Sequence, residues 1–268
     1  AGHRLSRWTA PADPAIFGID LAPDTHHTRM KHLIAAALFA AGTLGASAQK
    51  HVYEDLLVLY VDESYEKCLG KAEGYTLNDN TKKDPLPYLY MSMCLYEMSK
   101  IEKYQADYPK AARDAVKWAE KYRKKDKNKE FFGNYEDYWA ELNKLSMEQG
   151  ENFYEEGSYS KAKSLFDGMV GYYPENPGAW IMLALCQYKS NLVKEGDLSM
   201  KEYAKAALNA DTGSLPEDQK KLLKNALIRY SEFLNTKGMR DSARTTIGLG
   251  KEHFMEDPDF KLQYDELN

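Results

Sequence analysis

The sequence has little histidine and cysteine, the residue types that most often carry metal and nucleophilic chemistry. Of its six histidines, only His51 and His253 lie beyond residue 50. The three cysteines, Cys68, Cys94 and Cys186, form no CxxC pair and lack the spacing of a zinc site. The chain also has no GxGxxG, Walker, HExxH or GxSxG motif. We therefore expect no enzyme activity, no cofactor and no metal.

An excess of positive charge is also missing. The net charge is −5, with 36 Lys and Arg against 41 Asp and Glu. Nucleic-acid binding depends mainly on basic side chains that neutralise phosphates, so no nucleic-acid partner is expected. The basic run at 121–129 (KYRKKDKNK) is typical of a solvated helix end and loop.

The sequence has no apolar run long enough for a stable membrane anchor. The run at 33–44 is shorter than the roughly 20 apolar residues that span a bilayer. It follows the basic Lys31 and precedes the small residues ASA, which are the parts of a secretory signal peptide. Residues 30–48 are therefore predicted to be a signal peptide that is cleaved after Ala48. This predicts a periplasmic or secreted protein, and no cysteine follows the cut to carry a lipid.

The residues before this signal lack the apolar periodicity of a folded element. Residues 1–29 include Pro11, Pro14 and Pro23, and the chain does not begin with methionine. We interpret this segment as an unstructured upstream extension, with Met30 as the initiator. The alternative is an organellar transit segment, but those are amphipathic and poor in acidic residues, and this segment is neither.

Alternation of polar and apolar residues with a period of two, which indicates a half-buried strand, is not sustained anywhere. Helix signals occur instead. Pro85 and Pro87 precede an apolar run, and Pro216 and Pro258 stand where helices would begin. The sequence therefore predicts an all-α fold.

The most informative stretch is GENFYEEGSYSKAKSLFDGMVGYYPENPGAW, which begins at Gly150. Gly150 and Ala162 would let two helices approach closely. The rings that would fill the space between the helices are Phe153, Tyr159 and Phe166. Gly157 separates the two apolar-periodic segments, where a tight turn needs a residue free of steric limits. Pro174 would end the second helix, and Pro177 would open the next one.

This order of residues resembles the tetratricopeptide repeat (TPR), a 34-residue helical hairpin whose second helix carries Ala-x3-Phe before a closing proline. The following unit supplies Trp180, Leu183 and Ala184, and Ala184 lies 34 residues after Gly150. In composition the chain is also similar to secreted repeat proteins of Bacteroidota, which implies a periplasmic adaptor.

Weaker copies on both sides extend the resemblance over residues 49–268. The register is interrupted by eight extra residues around 104–108 and by another expansion near Gly196. The resemblance implies an antiparallel helix-pair solenoid, a TPR-like superhelix of about five irregular hairpins. The linker 124–131 would be the place for a bend in it.

In TPR proteins the first helices line a concave groove that holds an extended peptide or a partner helix. The resemblance therefore implies a non-enzymatic interaction scaffold whose partner is a protein or peptide. The groove residues, carried over position by position, are Tyr53, Leu57, Tyr60, Tyr90, Met93, Tyr96, Glu148, Glu151, Tyr154, Met182, Leu185, Tyr188 and Arg229. Tyrosine and methionine are frequent in interfaces. Each of these residues could instead pack against the next helix.

The sequence leaves three alternatives open. Exposed aromatic residues around Trp118 and Trp139 would favour a glycan- or peptidoglycan-binding accessory protein instead of a scaffold. Cys68 and Cys94 fall on helices expected to be neighbours, so they are either a disulfide or small buried thiols. The tail at 260–268 would either cap the last repeat or occupy the groove.

Overall fold

The computed structural model describes residues 51–268, so the predicted extension 1–29 and signal peptide 30–48 lie outside the described residues. Within 51–268 the backbone forms twelve α-helices and no β-strand, which confirms the all-α prediction. The α-helices are α1 (Glu54–Val61), α2 (Tyr65–Leu77), α3 (Leu86–Ser99), α4 (Ala111–Lys125), α5 (Glu136–Glu155), α6 (Tyr159–Tyr172), α7 (Pro177–Lys189), α8 (Val193–Asn209), α9 (Glu217–Thr236), α10 (Arg240–Gly248), α11 (Lys251–Phe254) and α12 (Pro258–Leu267). Short 3-10 helices occupy Glu102–Tyr104, Phe132–Tyr135 and Thr212–Ser214.

Two helices begin where proline and a capping side chain coincide in the sequence. Helix α7 starts at Pro177, and the Asn176 Oδ1 atom accepts a hydrogen bond from the Ala179 backbone N–H at 3.3 Å. Helix α12 starts at Pro258, with the Asp257 carboxylate accepting from the Phe260 N–H at 3.1 Å. A side-chain oxygen at this position pairs one of the backbone N–H groups that a helix start leaves unbonded.

The helices pack in neighbouring pairs, and the pairs pack on one another. The pairs are α1 with α2, α3 with α4, α5 with α6, α7 with α8, and α9 with α10. Contacts of α2 with α3 and of α6 with α7 join successive pairs, while α4 also packs on α6 and α7 on α9. Helix α3 is buried on all sides from Leu86 to Met98, as expected for an all-round apolar helix in the middle of a core.

The hairpin of α5 and α6 has the local structure that its sequence predicts. A Cβ atom added to Gly150 would lie 2.7 Å from the Cζ atom of Phe166, so the ring occupies the space that glycine leaves. Ala162 and Phe166 are fully buried. Gly157 forms the turn with a φ of +72°, a backbone conformation that strongly favours glycine. The predicted close approach of these two helices is confirmed.

Helix α9 also lies against α5, although the two are far apart in sequence. The Asn143 Nδ2 atom donates to the Asp218 Oδ2 atom at 2.9 Å, and the Asn225 Nδ2 atom donates to the Glu151 Oε1 atom at the same distance. The second hydrogen bond lies further toward the C-terminus than the first on both helices, so α5 and α9 run in the same direction. This contact covers part of α5 that an open row of first helices would leave exposed.

The basic run between α4 and α5 is organised around a buried carboxylate. Asp126 is 2% exposed. It accepts hydrogen bonds from the Tyr122 hydroxyl at 2.6 Å and from the Glu130 and Phe131 backbone N–H groups at 2.7 and 3.1 Å. The interpretation of this run as a solvated helix end and loop was therefore wrong for Asp126 and for the fully buried Tyr122. It holds for Lys124, whose side chain is 69% exposed.

The C-terminal segment covers the last helix pair. Helix α12 packs on both α9 and α10. Phe260 and Leu267 are buried, and the Gln263 Nε2 atom donates to the Ser231 Oγ atom at 3.1 Å. The tail at 260–268 therefore caps the last helix pair, which is the first of the two alternatives.

All three cysteines are buried, free thiols. Cys68 and Cys94 are neighbours across α2 and α3, as their predicted helices require, and the Cys68 thiol donates to the Leu56 carbonyl at 3.4 Å. Burial, together with the hydrogen bond between the two thiols, raises the pKa of Cys94 well above its usual value. A thiol in this environment is protonated and unreactive.

Candidate functional site

Seven of the thirteen predicted groove residues lie in the hydrophobic core. None of the seven is more than 4% exposed, so the folded chain presents almost none of their surface to a partner. They are Tyr53, Tyr60, Tyr90, Met93, Tyr96, Met182 and Leu185. The prediction that these side chains line an open groove was wrong, because each one packs against a neighbouring helix.

Three of the four tyrosines among them donate hydrogen bonds to carboxylates inside the protein. The Tyr53 hydroxyl donates to the Asp84 Oδ2 atom at 2.8 Å, and the Tyr96 hydroxyl donates to the Glu141 Oε2 atom at 2.8 Å. A buried hydroxyl needs such a partner, and it is supplied by Asp84 in the segment before α3 and by Glu141 on α5. These tyrosines therefore belong to a core in which carboxylates pair with buried hydroxyls.

The other six predicted residues keep part of their surface exposed, but they do not form one group. They are Leu57, Glu148, Glu151, Tyr154, Tyr188 and Arg229. Within residues 51–268, no hydrogen bond, ion pair or ring contact joins Leu57 or Glu148 to the other four.

Three of the predicted residues meet where α5 lies against α9. The Arg229 guanidinium is 5.7 Å from the centre of the Tyr154 ring and forms an ion pair with Glu155. Its Nε atom is 3.7 Å from the Glu151 Oε1 atom. Arginine is well suited to this position because its planar group can lie near a ring and pair with carboxylates at the same time.

Tyr154 and Tyr188 belong to a larger surface that we call the aromatic band, which consists of Tyr154, Tyr159, Tyr188, Tyr230 and Phe233. All five side chains are partly exposed. The rings of Tyr154 and Tyr159 have centres 5.4 Å apart, and those of Tyr188 and Phe233 are stacked with centres 5.6 Å apart. Tyr230 stacks on Tyr188 at 6.4 Å. The band thus includes residues from α5, α6, α7 and α9.

Lys189 joins the two halves of the aromatic band. Its ammonium nitrogen lies 6.0 Å from the centre of the Tyr159 ring and 5.7 Å from that of Phe233. The Lys237 ammonium nitrogen also lies 5.6 Å from the centre of the Phe233 ring. Within residues 51–268, no carboxylate comes within ion-pair distance of either lysine. In this part of the chain the two ammonium groups therefore lie beside rings and remain available to pair with carboxylates of another molecule.

Close packing fixes the position of Tyr188 in the band. A Cβ atom added to Gly196 would lie 2.4 Å from the Cε1 atom of Tyr188, so α8 leaves room for this ring. The Tyr188 hydroxyl donates to the Asp197 Oδ1 atom at 2.9 Å. Burial, followed by the hydrogen bond to Asp197, raises the pKa of Tyr188 above its usual value, so this hydroxyl keeps its proton well above neutral pH.

The pattern of first-helix positions did not identify three members of the band. Tyr159 was assigned to the space between α5 and α6, and Tyr230 and Phe233 were not singled out. A local signal exists for the last two, because residues three apart on a helix lie on the same face. The sequence does not indicate that this face of α9 packs beside the end of α7.

No family model, curated protein or solved structure matches the chain.

Within the described residues, no group of three or more histidine, cysteine, aspartate and glutamate side chains is placed to hold a metal ion. In the same part of the chain, no helix combines the length and the apolar character needed to cross a membrane.

The aromatic residues considered as a glycan platform are mostly buried. Tyr135, Tyr138 and Trp139 are at most 3% exposed. Trp139 stacks on Phe132 with ring centres 4.7 Å apart, and its Nε1–H donates to the Phe132 carbonyl. Trp118 is partly exposed, but the Lys121 ammonium lies 3.6 Å from its ring centre. The exposed ring at Trp139 that would favour the glycan-binding alternative is therefore not present.

One of these buried rings has a hydroxyl with no partner, which gives a direct test of the core. Within residues 51–268, no hydrogen-bond partner lies near the Tyr135 hydroxyl, whereas the Tyr172 hydroxyl donates to the Asn143 Oδ1 atom at 2.6 Å. We expect Tyr135→Phe to raise the free energy of unfolding by about 1 kcal/mol, because a buried unpaired hydroxyl is destabilising.

The matched control for this change is Tyr172→Phe, which should lower the free energy of unfolding by about 1 to 2 kcal/mol, since it leaves the Asn143 oxygen without its donor. Urea denaturation followed by circular dichroism measures both effects. Equal destabilisation by the two variants would mean that the Tyr135 hydroxyl is paired.

Proposed function

We propose that this chain is a non-enzymatic scaffold with a TPR-like superhelix, which binds a peptide or helix of a partner protein in the bacterial periplasm. The neighbouring helix pairs and the α5–α6 hairpin support the TPR-like arrangement. The signal-peptide pattern in residues 30–48 supports the location.

The observation that carries this proposal is the aromatic band with its two cations. Partly exposed tyrosine and phenylalanine offer large apolar contact area at small entropic cost, and aromatic residues are enriched in interfaces. Stacking and the close approach of Gly196 hold the Tyr188 ring in place before a partner arrives. A surface that is already ordered loses little conformational freedom on binding.

The chemistry of the band favours a particular kind of partner segment. Apolar side chains of the partner would cover the rings, and carboxylates would pair with Lys189 and Lys237. Both lysines lie beside the ring of Phe233. Opposite charges placed across an interface accelerate the encounter of the two proteins and select against partners that carry the same charge.

Site-specific photocrosslinking in periplasmic extracts tests this proposal. A crosslinking amino acid replaces Phe233 in the band or, as a control, the exposed Leu262 on α12. We expect one protein to crosslink from position 233 and not from position 262. The yield of the crosslink from position 233 should fall at least about tenfold in a variant that combines Lys189→Glu with Lys237→Glu.

The matched control combines Lys201→Glu on α8 with Lys221→Glu near the other end of α9, which makes the same total charge change at two exposed positions outside the band. It should leave the crosslink unchanged. Equal loss in the control and in the band variant would indicate a general charge effect, and crosslinking from 262 alone would overturn the assignment to the band. Helical circular dichroism checks that each variant is folded.

A further inference from the structure

A cavity of about 440 Å³ lies at the opposite end of α7 from the aromatic band. Its walls come from the loop between α6 and α7, the first turns of α7, the last turns of α8, and the segment that leads into α9. This size falls within the usual range of small-ligand pockets. The cavity shares no residue with the aromatic band, so it is a separate candidate site.

Two aromatic rings with fixed positions contribute to the cavity wall. The Trp180 Nε1–H donates to the Pro174 carbonyl at 2.8 Å. The Tyr173 ring stacks on Phe132 with ring centres 5.3 Å apart. Both aromatic side chains are partly exposed. A ligand that enters the cavity therefore meets aromatic groups that other contacts already hold in place.

The charged groups of the cavity are mainly acidic. Glu175, Glu202 and Asp211 line it, against one lysine, Lys205. Glu202 pairs with Lys205 at 2.6 Å, and both side chains are largely exposed. Glu175 pairs with Lys129 from outside the cavity. Exposed ion pairs of this kind contribute little free energy, so a ligand cation can take the place of the protein's own lysines.

The third carboxylate is held by its own loop. Asp211 accepts hydrogen bonds from the Ser214 hydroxyl at 2.5 Å and from the Gly213 N–H at 3.1 Å. These two hydrogen bonds lower the pKa of Asp211, which therefore stays ionised well below neutral pH.

We propose that this cavity binds an arginine side chain of a peptide ligand. A guanidinium group is planar and weakly hydrated, so it can lie against the Trp180 or Tyr173 ring while its N–H groups reach the carboxylates. The excess of acidic groups distinguishes this ligand from a neutral saccharide, which would use the same rings with hydroxyl groups and gain nothing from the charge. The proposal does not depend on the function assigned to the aromatic band.

Nuclear magnetic resonance of the folded chain tests the proposal through the Trp180 indole N–H, because this group lies in the cavity wall. The chain has four tryptophans, so few indole signals occur, and a Trp180→Phe variant assigns the relevant one. The probe is the blocked tripeptide acetyl-Gly-Arg-Gly-amide. Its citrulline analogue, which has nearly the same shape without the charge, is the matched ligand.

We expect the arginine peptide to shift the Trp180 signal in a saturable way, with half-saturation at about 1 mM. It should bind roughly tenfold more tightly than the citrulline peptide. Glu202→Gln should weaken the binding of the arginine peptide about two- to fivefold, as expected for an exposed charge. Glu195→Gln, which removes the same charge from the exposed first turn of α8 outside the cavity, should have no effect.

Three results would overturn the proposal. The first is equal binding of the arginine and citrulline peptides, which would remove the role of charge. The second is a shift caused by the neutral trisaccharide maltotriose and not by the arginine peptide, which would assign the cavity to a glycan. The third is no saturable shift at up to about 10 mM peptide.

Discussion

The protein is expected to unfold in one cooperative step as the pH rises from 10 to about 11. The cause is a set of buried tyrosines whose phenol groups cannot ionise inside the core. Each is at most 2% exposed, and burial raises the pKa of each above the usual value of about 10. They are Tyr60, Tyr90, Tyr122, Tyr135, Tyr138 and Tyr172.

The sign of this effect follows from proton binding. In the unfolded chain these phenols lose their protons near pH 10, whereas in the folded chain they keep them to higher pH. The unfolded state therefore binds fewer protons above pH 10, and stability falls as the pH rises. Below pH 10 both states are protonated, so the contribution is fully present.

The magnitude is large because the groups act together. Each tyrosine lowers the free energy of unfolding by about 1.4 kcal/mol for every pH unit above 10. Six tyrosines lower it by about 8 kcal/mol per unit, which is comparable to the whole stability of an ordinary domain.

The measurement is a pH titration in which helical circular dichroism and tyrosinate absorbance are recorded together. We expect the absorbance of the buried tyrosines to appear at the pH at which the helical signal is lost. In the Tyr135→Phe variant, which has one titrating group fewer, the transition should move to higher pH. Full tyrosinate absorbance while the helical signal is intact would show that the phenols ionise within the folded protein.

Local features were predictable from the sequence because the residues that determine them are neighbours in the chain. The turn at Gly157 and the start of α7 at Pro177 depend on backbone conformations that only a few residue types favour. The approach of Phe166 to Gly150 was also predictable, because both residues lie in one helical hairpin. These elements were therefore predicted correctly.

The surface was not predictable in the same way, because it depends on contacts between distant segments. The groove residues were assigned as though the first helices stood in an open row. Asn143 and Asp218 are 75 positions apart, and their hydrogen bond belongs to a contact that places α9 against α5. No local period encodes this contact. Burial of Tyr90 and Met93 follows from packing around α3, and a helix that is apolar on every side does not reveal which face is free.

The contact between α7 and α9 should be highly sensitive to one added methyl group. A Cβ atom at Gly178 would lie 2.6 Å from the Leu223 backbone nitrogen and 2.8 Å from the Leu222 carbonyl carbon. These are backbone atoms of α9, which cannot rotate away as a side-chain end could. We expect Gly178→Ala to lower the free energy of unfolding by about 3 kcal/mol, at the upper end of the usual effect of overpacking.

The matched control is Gly74→Ala in α2, where the added Cβ would meet no atom within 4 Å. Alanine is the better helix former by about 1 kcal/mol, so this variant should be slightly more stable than the parent protein. Urea denaturation of the two variants separates the steric effect at Gly178 from the general effect of replacing glycine in a helix. If Gly178→Ala raised the free energy of unfolding as Gly74→Ala is expected to do, the predicted clash would be contradicted.

Gly178→Ala should also affect both candidate sites, because α7 carries a residue of each. Trp180 lies in the cavity wall two residues after Gly178, and Tyr188 belongs to the aromatic band, where it stacks on Tyr230 and Phe233 of α9. A displacement of α7 relative to α9 would change the environment of both rings. We therefore expect the Trp180 indole signal to move in this variant and to stay in place in Gly74→Ala. An unchanged Trp180 signal in a destabilised Gly178→Ala protein would mean that α9 yields locally while the cavity keeps its shape.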